Sequence, residues 1–399
     1  MSTGVLVGPD GGQEVVLAHR ARTRVGRLCS GYADHALLVT DSGLNSATPH
    51  VQETVDRMTA SGVHTDVLSL PSDQTGTVGS ARLVRDRMRM TGSRLCVALG
   101  GGSAIDAAKL ARAAHHRPWL LDRAIWRRPT GVLALPDSRG PDSTPHLIAL
   151  STRPGTAAEV ASRVALAPDT GTSRRLLTGG FLRPTMALID PDWSSTLSRE
   201  AWFESLNEIL FRILGPFLIT RRSSKRIDRT AVEWIEEILD IGAHLTDHEY
   251  PADGQRLRTA ELSVSTATAG HVHHWAPTMP AWWCIQNTVV AHTGLSKGTA
   301  TSRALPVLLE KIADGEESLG SAGRLRTMEK YRSYEKSMRE AIGDFCAAAR
   351  NADAAHHGRR SDEELVKWGN ETLTLWGRHP GIAALGAKGV RDVLQESGF

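Results

Sequence analysis

Residues 95–109 read LCVALGGGSAIDAAK, and this stretch decides the fold. An apolar run of strand length leads into three glycines, which let the backbone turn sharply because they carry no Cβ. Ser103 is placed to cap the helix that follows, and Asp106 completes a capping-box-like pair. The stretch therefore predicts a buried strand, a tight turn and a helix start. Its free N–H groups and positive dipole end favour an anion, usually a dinucleotide pyrophosphate.

The segments around this stretch alternate between short apolar runs and amphipathic helical spacing. Strands that alternate with helices of this length predict a parallel, doubly wound sheet. The strand-like pattern ends at Asp190-Pro191, and almost wholly helical spacing follows from Leu197 onward. We therefore expect an α/β dinucleotide-binding domain over residues 1–196 and an all-helical domain over residues 197–399.

Composition sets the class of protein. The chain has 399 residues, 41% of them hydrophobic and 23% charged, and a net charge of +3. This balance argues against nucleic acid as a general partner, and no apolar run approaches the length of a membrane span. The four cysteines have no metal-ligand spacing, which favours buried thiols in a reducing compartment. Because the N-terminus also lacks a signal-peptide pattern, we expect a cytoplasmic protein.

Asp41 follows a compact strand pattern at residues 36–40. An acid at the end of a strand in this type of fold can hydrogen-bond an adenosine ribose and repel a 2′-phosphate. The alternative is an ordinary turn residue at a strand end. If the first interpretation holds, NAD is favoured over NADP.

Three motifs together resemble the iron-containing alcohol dehydrogenase and dehydroquinate synthase-like superfamily. Residues 100–109 are close to that family's nucleotide-binding signature. Residues 152–159, TRPGTAAE, are a degraded form of its Thr-Thr-x-Gly-Thr-x-Ser-Glu segment, and residues 183–191 match the strand that ends in Asp-Pro. The resemblance covers roughly residues 15–310.

This resemblance implies a dehydroquinate synthase-like fold with the active site in the cleft between the two domains. It implies NAD as cofactor and favours the functional interpretation of Asp41. The residues implied to hold the pyrophosphate are Gly100, Gly101, Gly102 and Ser103, with Asp106 in the same motif. Thr152 and Thr156 would contact the nicotinamide side.

The family's divalent metal is normally held by an acid, a His four residues later and two further His. Here Glu204 falls at the acid position, but Glu208 stands where the first His is expected. Lys297 stands where the His of the His-Gly segment is expected, and the remaining ligand position falls at Trp282 or Trp283. At most one usual ligand type survives, and this departure from the family pattern leads us to expect a site without a metal.

Elementary electrostatics suggests what replaces the metal. Glu204 and Glu208 lie one helical turn apart, where like charges repel and a cation between them removes the cost. We hypothesise that the ammonium group of Lys297 supplies that cation and polarises the substrate oxygen. It would also exchange a proton if burial favoured the neutral amine. The alternatives are a metal held by the two glutamates and a displaced His, or a site without catalytic activity.

Several other residues have a functional and a structural interpretation. His292 lies five residues before Lys297, and a cleft-facing loop there would make it a proton relay to the substrate hydroxyl. Trp282 and Trp283 either line the pocket or pack in the core. The cluster His271, His273 and His274 offers metal-ligating side chains but does not fit the family's ligand positions.

We expect the substrate to be an alcohol or carbonyl compound, and a cationic lysine suits one that carries a carboxylate. Oxidation of a β-hydroxy acid gives a β-keto acid, which loses CO₂ readily. Diverged members of the superfamily occur in daptide-type ribosomal-peptide pathways, where a C-terminal Thr would be such a substrate. Arg117, Trp119 and Trp126 lie in a basic connection that could bind a peptide or form a solvated loop.

Two other classes of function remain open. One is a dehydroquinate synthase-type cyclase acting on a sugar phosphate, for which Arg174 and Arg175 are available as phosphate ligands. The other is a scaffold subunit that retains the fold without chemistry. A homodimer is compatible with all of them, since the sequence does not set the oligomeric state.

Overall fold

The protein is described by a computed structural model over residues 4–7, 13–136, 143–169, 172–268, 278–333, 335–353 and 358–399, with the backbone alone for residues 4–7. The chain divides into two compact units. The first unit holds residues 1–128, 132–196 and 256–268, and the second holds residues 129–131, 197–255 and 269–399.

A sheet of seven strands forms the centre of the first unit, in the order β1-β2-β10-β7-β5-β3-β4. All neighbouring pairs are parallel except β1 and β2. A second sheet has the order β6-β9-β8. The strands are β1 (Gly4–Val7), β2 (Glu14–Leu17), β3 (His35–Asp41), β4 (His64–Leu70), β5 (Leu95–Gly100), β6 (Val132–Ala134), β7 (His146–Ser151), β8 (Arg163–Leu166), β9 (Arg175–Thr178) and β10 (Met186–Ile189).

Helices cover both faces of the seven-stranded sheet. The helices of this part are α1 (Val25–Ser30), α2 (Ser42–Ala47), α3 (His50–Ala60), α4 (Val78–Thr91), α5 (Gly102–Ala114) and α6 (Arg123–Trp126). On one face, α1 and α3 pack on the side chains of Leu38 and Val97. On the other face, α4 and α5 pack on those of Leu37 and Cys96. Strands buried on both faces consist of continuous apolar runs, so the predicted doubly wound sheet is confirmed.

The strand order reverses direction next to β3. The chain passes from β3 to β4 on one side, and then β5 lies on the opposite side of β3. In open α/β sheets, ligands bind outside the carboxyl ends of the strands at such a switch point. The carboxyl ends of β3 and β5 are Asp41 and Gly100, the two positions that the sequence singled out.

One segment departs from the division of the chain expected from its sequence. Helix α9 spans Asp253–Thr268, and its residues 256–268 belong to the first unit. Ala260 and Val264 pack there against Leu17 and Ile189. Helical spacing alone could not show this, because an apolar helix stripe has no information about which partner will cover it.

The second unit is helical. Its helices are α7 (Arg199–Ile219), α8 (Lys225–Asp247), α10 (Ala281–Thr293), α11 (Lys297–Ala313), α12 (Ala322–Lys330), α13 (Met338–Ala352), α14 (Asp362–Trp376) and α15 (Pro380–Glu396). Fifteen of the 21 residues of α7 are buried, which marks it as the central helix of this unit. Helix α15 has a kink at Gly386, whose φ is 62°.

These elements show where the cysteines lie and whether a described helix could cross a membrane. All four cysteines are buried and unpaired, as the sequence predicted. Burial raises the pKa of the Cys29 and Cys96 thiols to about 12, which keeps them protonated and unreactive. None of the helices in the described ranges combines the length and apolar composition that a bilayer crossing requires.

Candidate functional site

The glycine turn lies at the carboxyl end of β5. The N-cap of α5 is Gly101 and the helix begins at Gly102, with no side chain capping it. The expectation that Ser103 caps the helix is therefore wrong: Ser103 lies within its first turn. The first N–H groups of α5 therefore have no side-chain acceptor. A helix start of this kind is an arrangement that binds an anion.

Asp41 lies directly beside this turn. A Cβ placed on Gly100 would lie 3.2 Å from Oδ2 of Asp41. The other carboxylate oxygen, Oδ1, accepts a hydrogen bond of 2.8 Å from the backbone N–H of Leu44 and so caps α2. Both interpretations of Asp41 thus have support: one oxygen serves the local turn, and the other faces the glycine turn.

The threonines of the degraded second motif also lie at the turn. The backbone N–H of Thr152 donates to the carbonyl of Gly100 at 3.2 Å. A Cβ on Gly102 would lie 2.8 Å from Oγ1 of Thr156, so only glycine fits there without movement of that side chain. A Cβ on Gly101 would meet no atom within 4 Å. The turn is closed by Thr156 on one side and open above Gly101, where a ligand has room.

Asp106 has a structural role that the sequence did not suggest. Its Oδ2 accepts from the backbone N–H of Ala165 at 2.9 Å, and its Oδ1 accepts from Nζ of Lys109 at 3.1 Å. The expected capping role of Asp106 is therefore wrong, and its two oxygens face protein donors rather than a cofactor.

Lys109 is the centre of that arrangement. Its side chain is fully buried, and Nζ also donates to the carbonyls of Ala158 and Arg163. Burial lowers the pKa of Lys109, although the Asp106 carboxylate opposes the shift. These hydrogen bonds tie α5 to the segments that hold Thr156 and β8. They also satisfy the buried ammonium group, because a buried charge is tolerated only when it is paired and hydrogen-bonded.

A further glycine and an arginine stand beside the turn. Gly76 has a φ of 87°, and a Cβ on it would lie 3.0 Å from Nη2 of Arg174 and 3.4 Å from Oγ of Ser103. Arg174 thereby brings a positive charge next to the first turn of α5. The sequence suggested Arg174 only as a ligand for a sugar phosphate, and Gly76 was not recognised. Its position two residues before α4, between two threonines, was the available signal.

The second unit brings Glu204 and the start of α11 together. A Cβ on Gly298 would lie 2.4 Å from the carbonyl oxygen of Glu204 and 2.5 Å from its Cα, so the two helices touch backbone to backbone. Thr299 donates from Oγ1 to Oε1 of Glu204 at 2.8 Å. Lys297 is the first residue of α11 and is half-buried. Glu204 and Lys297 are thus neighbours through Gly298.

Glu208 lies one turn after Glu204 on α7, as expected, and is half-buried. Lys297 is not a solvated loop residue: Ser296 caps its helix, and its carbonyl accepts from Nε2 of Gln286 at 2.9 Å. Within the described ranges, no group of three or more His, Cys, Asp or Glu ligands forms around Glu204. His271, His273 and His274 lie outside the described residues. Among the described residues, Glu204 supplies a carboxylate at an implied ligand position, and Lys297 supplies an amine at another.

His292 does not lie in a loop. It belongs to α10, its Nε2 lies 2.6 Å from Oε2 of Glu371, and its ring stacks on Trp368 at 5.4 Å between centroids. An imidazole held in this way ties α10 to α14. The expected proton relay is therefore not supported by the geometry of His292.

The two tryptophans at the expected ligand position differ. Trp282 is buried and donates from Nε1 to Oγ1 of Thr301 at 3.0 Å, which is core packing. Trp283 is half-buried and packs edge to face on Phe211. In the basic connection of the first unit, Trp126 is also a core residue, whereas Trp119 is 41% exposed. Only Trp119 of that pair is available to a peptide.

Comparison with known proteins agrees with the motifs. Residues 12–191 match the family model described as iron-containing alcohol dehydrogenase. The fold is similar to that of the NADH-dependent butanol dehydrogenase A from Thermotoga maritima, with a TM-score of 0.79 and 16% identity over 100% of this chain and 99% of that chain. An iron-containing alcohol dehydrogenase from Thermotoga maritima gives a TM-score of 0.72 and 15% identity over 100% of this chain and 99% of that one.

A third similar structure is sulfoacetaldehyde reductase from Bifidobacterium kashiwanohense in complex with NAD⁺, with a TM-score of 0.72 and 16% identity over 100% of this chain and 98% of that chain. No curated protein matches the chain. The family match rests on residues 12–191, and the similarity of fold extends over the whole length. Residues 12–191 therefore match the iron-containing alcohol dehydrogenase model, and the whole chain shares the fold of those solved structures.

Proposed function

We propose that this chain is an NAD-dependent oxidoreductase that interconverts an alcohol and a carbonyl compound, with Lys297 acting where its relatives use a metal. The observation that carries the NAD assignment is the convergence of Asp41 and the glycine turn at the switch point of the sheet. The balanced charge of the chain favours a small-molecule or peptide substrate over nucleic acid.

The residues of the first unit fit a dinucleotide. Gly101 and Gly102 present the helix N–H groups to the pyrophosphate, and Arg174 adds a positive charge beside Ser103. Oδ2 of Asp41 accepts from the adenosine ribose and repels a 2′-phosphate. Thr152 and Thr156 hold the nicotinamide side. When bound, NAD accepts or returns the hydride of the alcohol carbon.

Lys297 is proposed to stabilise the charge that develops on the substrate oxygen. As the O–H proton of the alcohol leaves to solvent, the oxygen gains negative charge, and an ammonium group beside it lowers the energy of that state. Glu204 and Glu208 place two carboxylates one turn apart on α7, and their negative charge favours a cation at the adjoining start of α11. Thr299, which donates to Glu204, fixes the orientation of that carboxylate.

We propose a β-hydroxy acid as substrate, the C-terminal threonine of a natural-product peptide being one example. Oxidation converts the β-hydroxyl to a ketone. The carboxylate then leaves as CO₂, and the electrons of the broken C–C bond pass to the ketone, which takes up a proton. Arg117 and Trp119 stand in the segment that would contact a peptide, and the exposed indole of Trp119 supports this.

The metal question is tested on the purified protein without any substrate. Zinc and iron are measured by elemental analysis, and NADH binding is followed by fluorescence with and without a chelator. We expect NADH to bind equally well with and without the chelator. We also expect less than about 0.1 equivalent of metal bound at the position of Glu204. Stoichiometric iron or zinc that is lost in Glu204→Gln would overturn the role of Lys297.

The substrate class is tested with peptides that end in threonine. Each peptide is supplied with a free carboxylate and, as a matched control, with a C-terminal amide. NADH formation and CO₂ release are measured together. We expect both signals from the acid and neither from the amide. Equal oxidation of the two peptides would contradict the requirement for a carboxylate, and oxidation without CO₂ would contradict decarboxylation.

A further inference from the structure

A cluster of metal-ligating side chains lies at the opposite end of the sheet from the glycine turn. His35 and His64 are the first residues of β3 and β4, and they face each other in the parallel register. Asp66 follows His64 by two residues, so its side chain points to the same face of the sheet. Asp41, at the carboxyl end of β3, is about 20 Å away along the strand at ~3.3 Å per residue.

The three side chains already stand at ligand distances from one another. Their ligating atoms all lie within 4.8 Å of each other, and the two imidazole rings have centroids 5.1 Å apart. Nε2 of His35 lies 3.0 Å from Oδ2 of Asp66. Elsewhere in the described ranges, no other set of three or more His, Cys, Asp or Glu side chains is grouped in this way.

His64 argues for a ligand rather than for a simple ion pair. Its side chain is exposed, and within the described part of the chain its imidazole has only the ring contact with His35. The His35–Asp66 pair therefore does not need His64, whereas a metal ion would use all three residues. A carboxylate that contacts a ligating imidazole also orients the ring.

We infer that His35, His64 and Asp66 form a divalent cation site of the zinc class that clamps β3 to β4. Two imidazole nitrogens and one carboxylate oxygen, open to water on the remaining side, are a ligand set that Zn²⁺ accepts in tetrahedral geometry. β4 is the last strand of the sheet, so a clamp at its start would add to the seven residue pairs that join it to β3. Arg87, whose Nη2 lies 4.0 Å from Oδ1 of Asp66, opposes a cation and keeps the affinity modest.

The test uses tag-free, chelator-treated full-length protein. ZnCl₂ is titrated by calorimetry, and CoCl₂ is followed by its visible absorbance, which reports tetrahedral coordination. We expect the wild type to bind one equivalent that His64→Gln and Asp66→Asn lose or bind about 10- to 100-fold more weakly. Zinc should also raise the temperature of unfolding of the wild type by a few degrees, with no such rise in either variant.

The matched control is His19→Gln. His19 is also paired with a carboxylate, since its Nδ1 lies 3.3 Å from Oδ1 of Asp192, but within the described ranges it belongs to no group of three ligating side chains. This variant should bind zinc as the wild type does. The inference is overturned if the wild type shows no saturable zinc binding, or if His64→Gln and Asp66→Asn retain its affinity and stoichiometry. Because the readouts are metal binding and unfolding, the result is independent of the NAD and Lys297 proposals.

Discussion

The glycine turn of the first unit and the start of α11 in the second unit are built in the same way but differ in chemistry. Each is a helix start that approaches another segment through a glycine. Gly102 faces the side chain of Thr156, whereas Gly298 faces the backbone of Glu204. The first helix start presents glycine and serine, as the motif that it resembles does. The second presents Lys297 where a metal-ligating His is expected. The proposal for Lys297 thus keeps the close-packed scaffold and replaces the reactive group that it carries.

The largest effect is expected from Lys297→Met, which removes the charge and retains a long side chain. If the ammonium group stabilises the developing oxyanion, kcat should fall by about 10²- to 10³-fold. NADH affinity should not change. Steady-state kinetics and NADH fluorescence measure the two effects separately. Lys311→Met, in the same helix, is the control, because Lys311 pairs with Glu396 and not with the site. Full turnover in Lys297→Met would remove Lys297 from the mechanism.

Gly298→Ala tests the scaffold of the second unit. The added Cβ would meet backbone atoms of Glu204 at 2.4 and 2.5 Å, which cannot move as a side chain can. We expect a loss of about 3 kcal/mol in the free energy of unfolding, measured with denaturant. Gly343→Ala is the matched control in α13, where a Cβ meets no atom within 4 Å. That variant should be stabilised by about 0.5–1 kcal/mol, so a loss there as well would deny any special role to Gly298.

Gly102→Ala tests the first helix start in the same manner. The new Cβ would meet Oγ1 of Thr156 at 2.8 Å, and the Thr156 side chain can shift. We expect the free energy of NADH binding to weaken by about 1–2 kcal/mol, which is about 10-fold in affinity. This effect is smaller than the loss of unfolding free energy expected for Gly298→Ala. The double variant Gly102→Ala, Thr156→Ala should recover part of the loss. Unchanged NADH affinity in the single variant would place the dinucleotide elsewhere.

Asp41→Asn separates the two roles of Asp41. Asparagine caps helices as well as aspartate does, so α2 should keep its cap while the negative charge is lost. We expect the preference for NADH over NADPH to fall by about 3- to 10-fold, because repulsion of a 2′-phosphate disappears. Binding titrations with both nucleotides measure this, and thermal unfolding checks the cap. An unaltered preference would leave only the capping role.

His292→Gln should have the smallest effect on activity. Since His292 is held by Glu371 and Trp368, we expect kcat to stay within about twofold and stability to fall by no more than about 1 kcal/mol. Kinetics over a range of pH measure the first quantity. A loss of turnover with an altered pH profile would restore the proton relay that the sequence suggested.

The accuracy of the sequence predictions depends on how local the evidence is. The strand, turn and helix around residues 95–109 follow from adjacent residues, and the structure has them at Leu95–Gly100 and Gly102–Ala114. The sequence could not indicate Glu371 as the partner of His292 or Ala165 as a partner of Asp106, because they lie 79 and 59 residues away in the chain. Gly76 and Arg174 were missed as a pair for the same reason.

Local patterns are sufficient for the α/β character of the first part, the helical character of the second and the glycine turn at the start of α5. Periodicity, glycine freedom and helix polarity act over a few neighbouring residues. Only the folded chain brings Asp41 beside Gly100, Gly298 against Glu204, and His35 beside His64. These contacts depend on strand order and on which helix face finds a partner, and such pairings are set by burial of the whole core. The glycine turn could be recognised from its sequence, but the residues that contact it could be identified only in the folded chain.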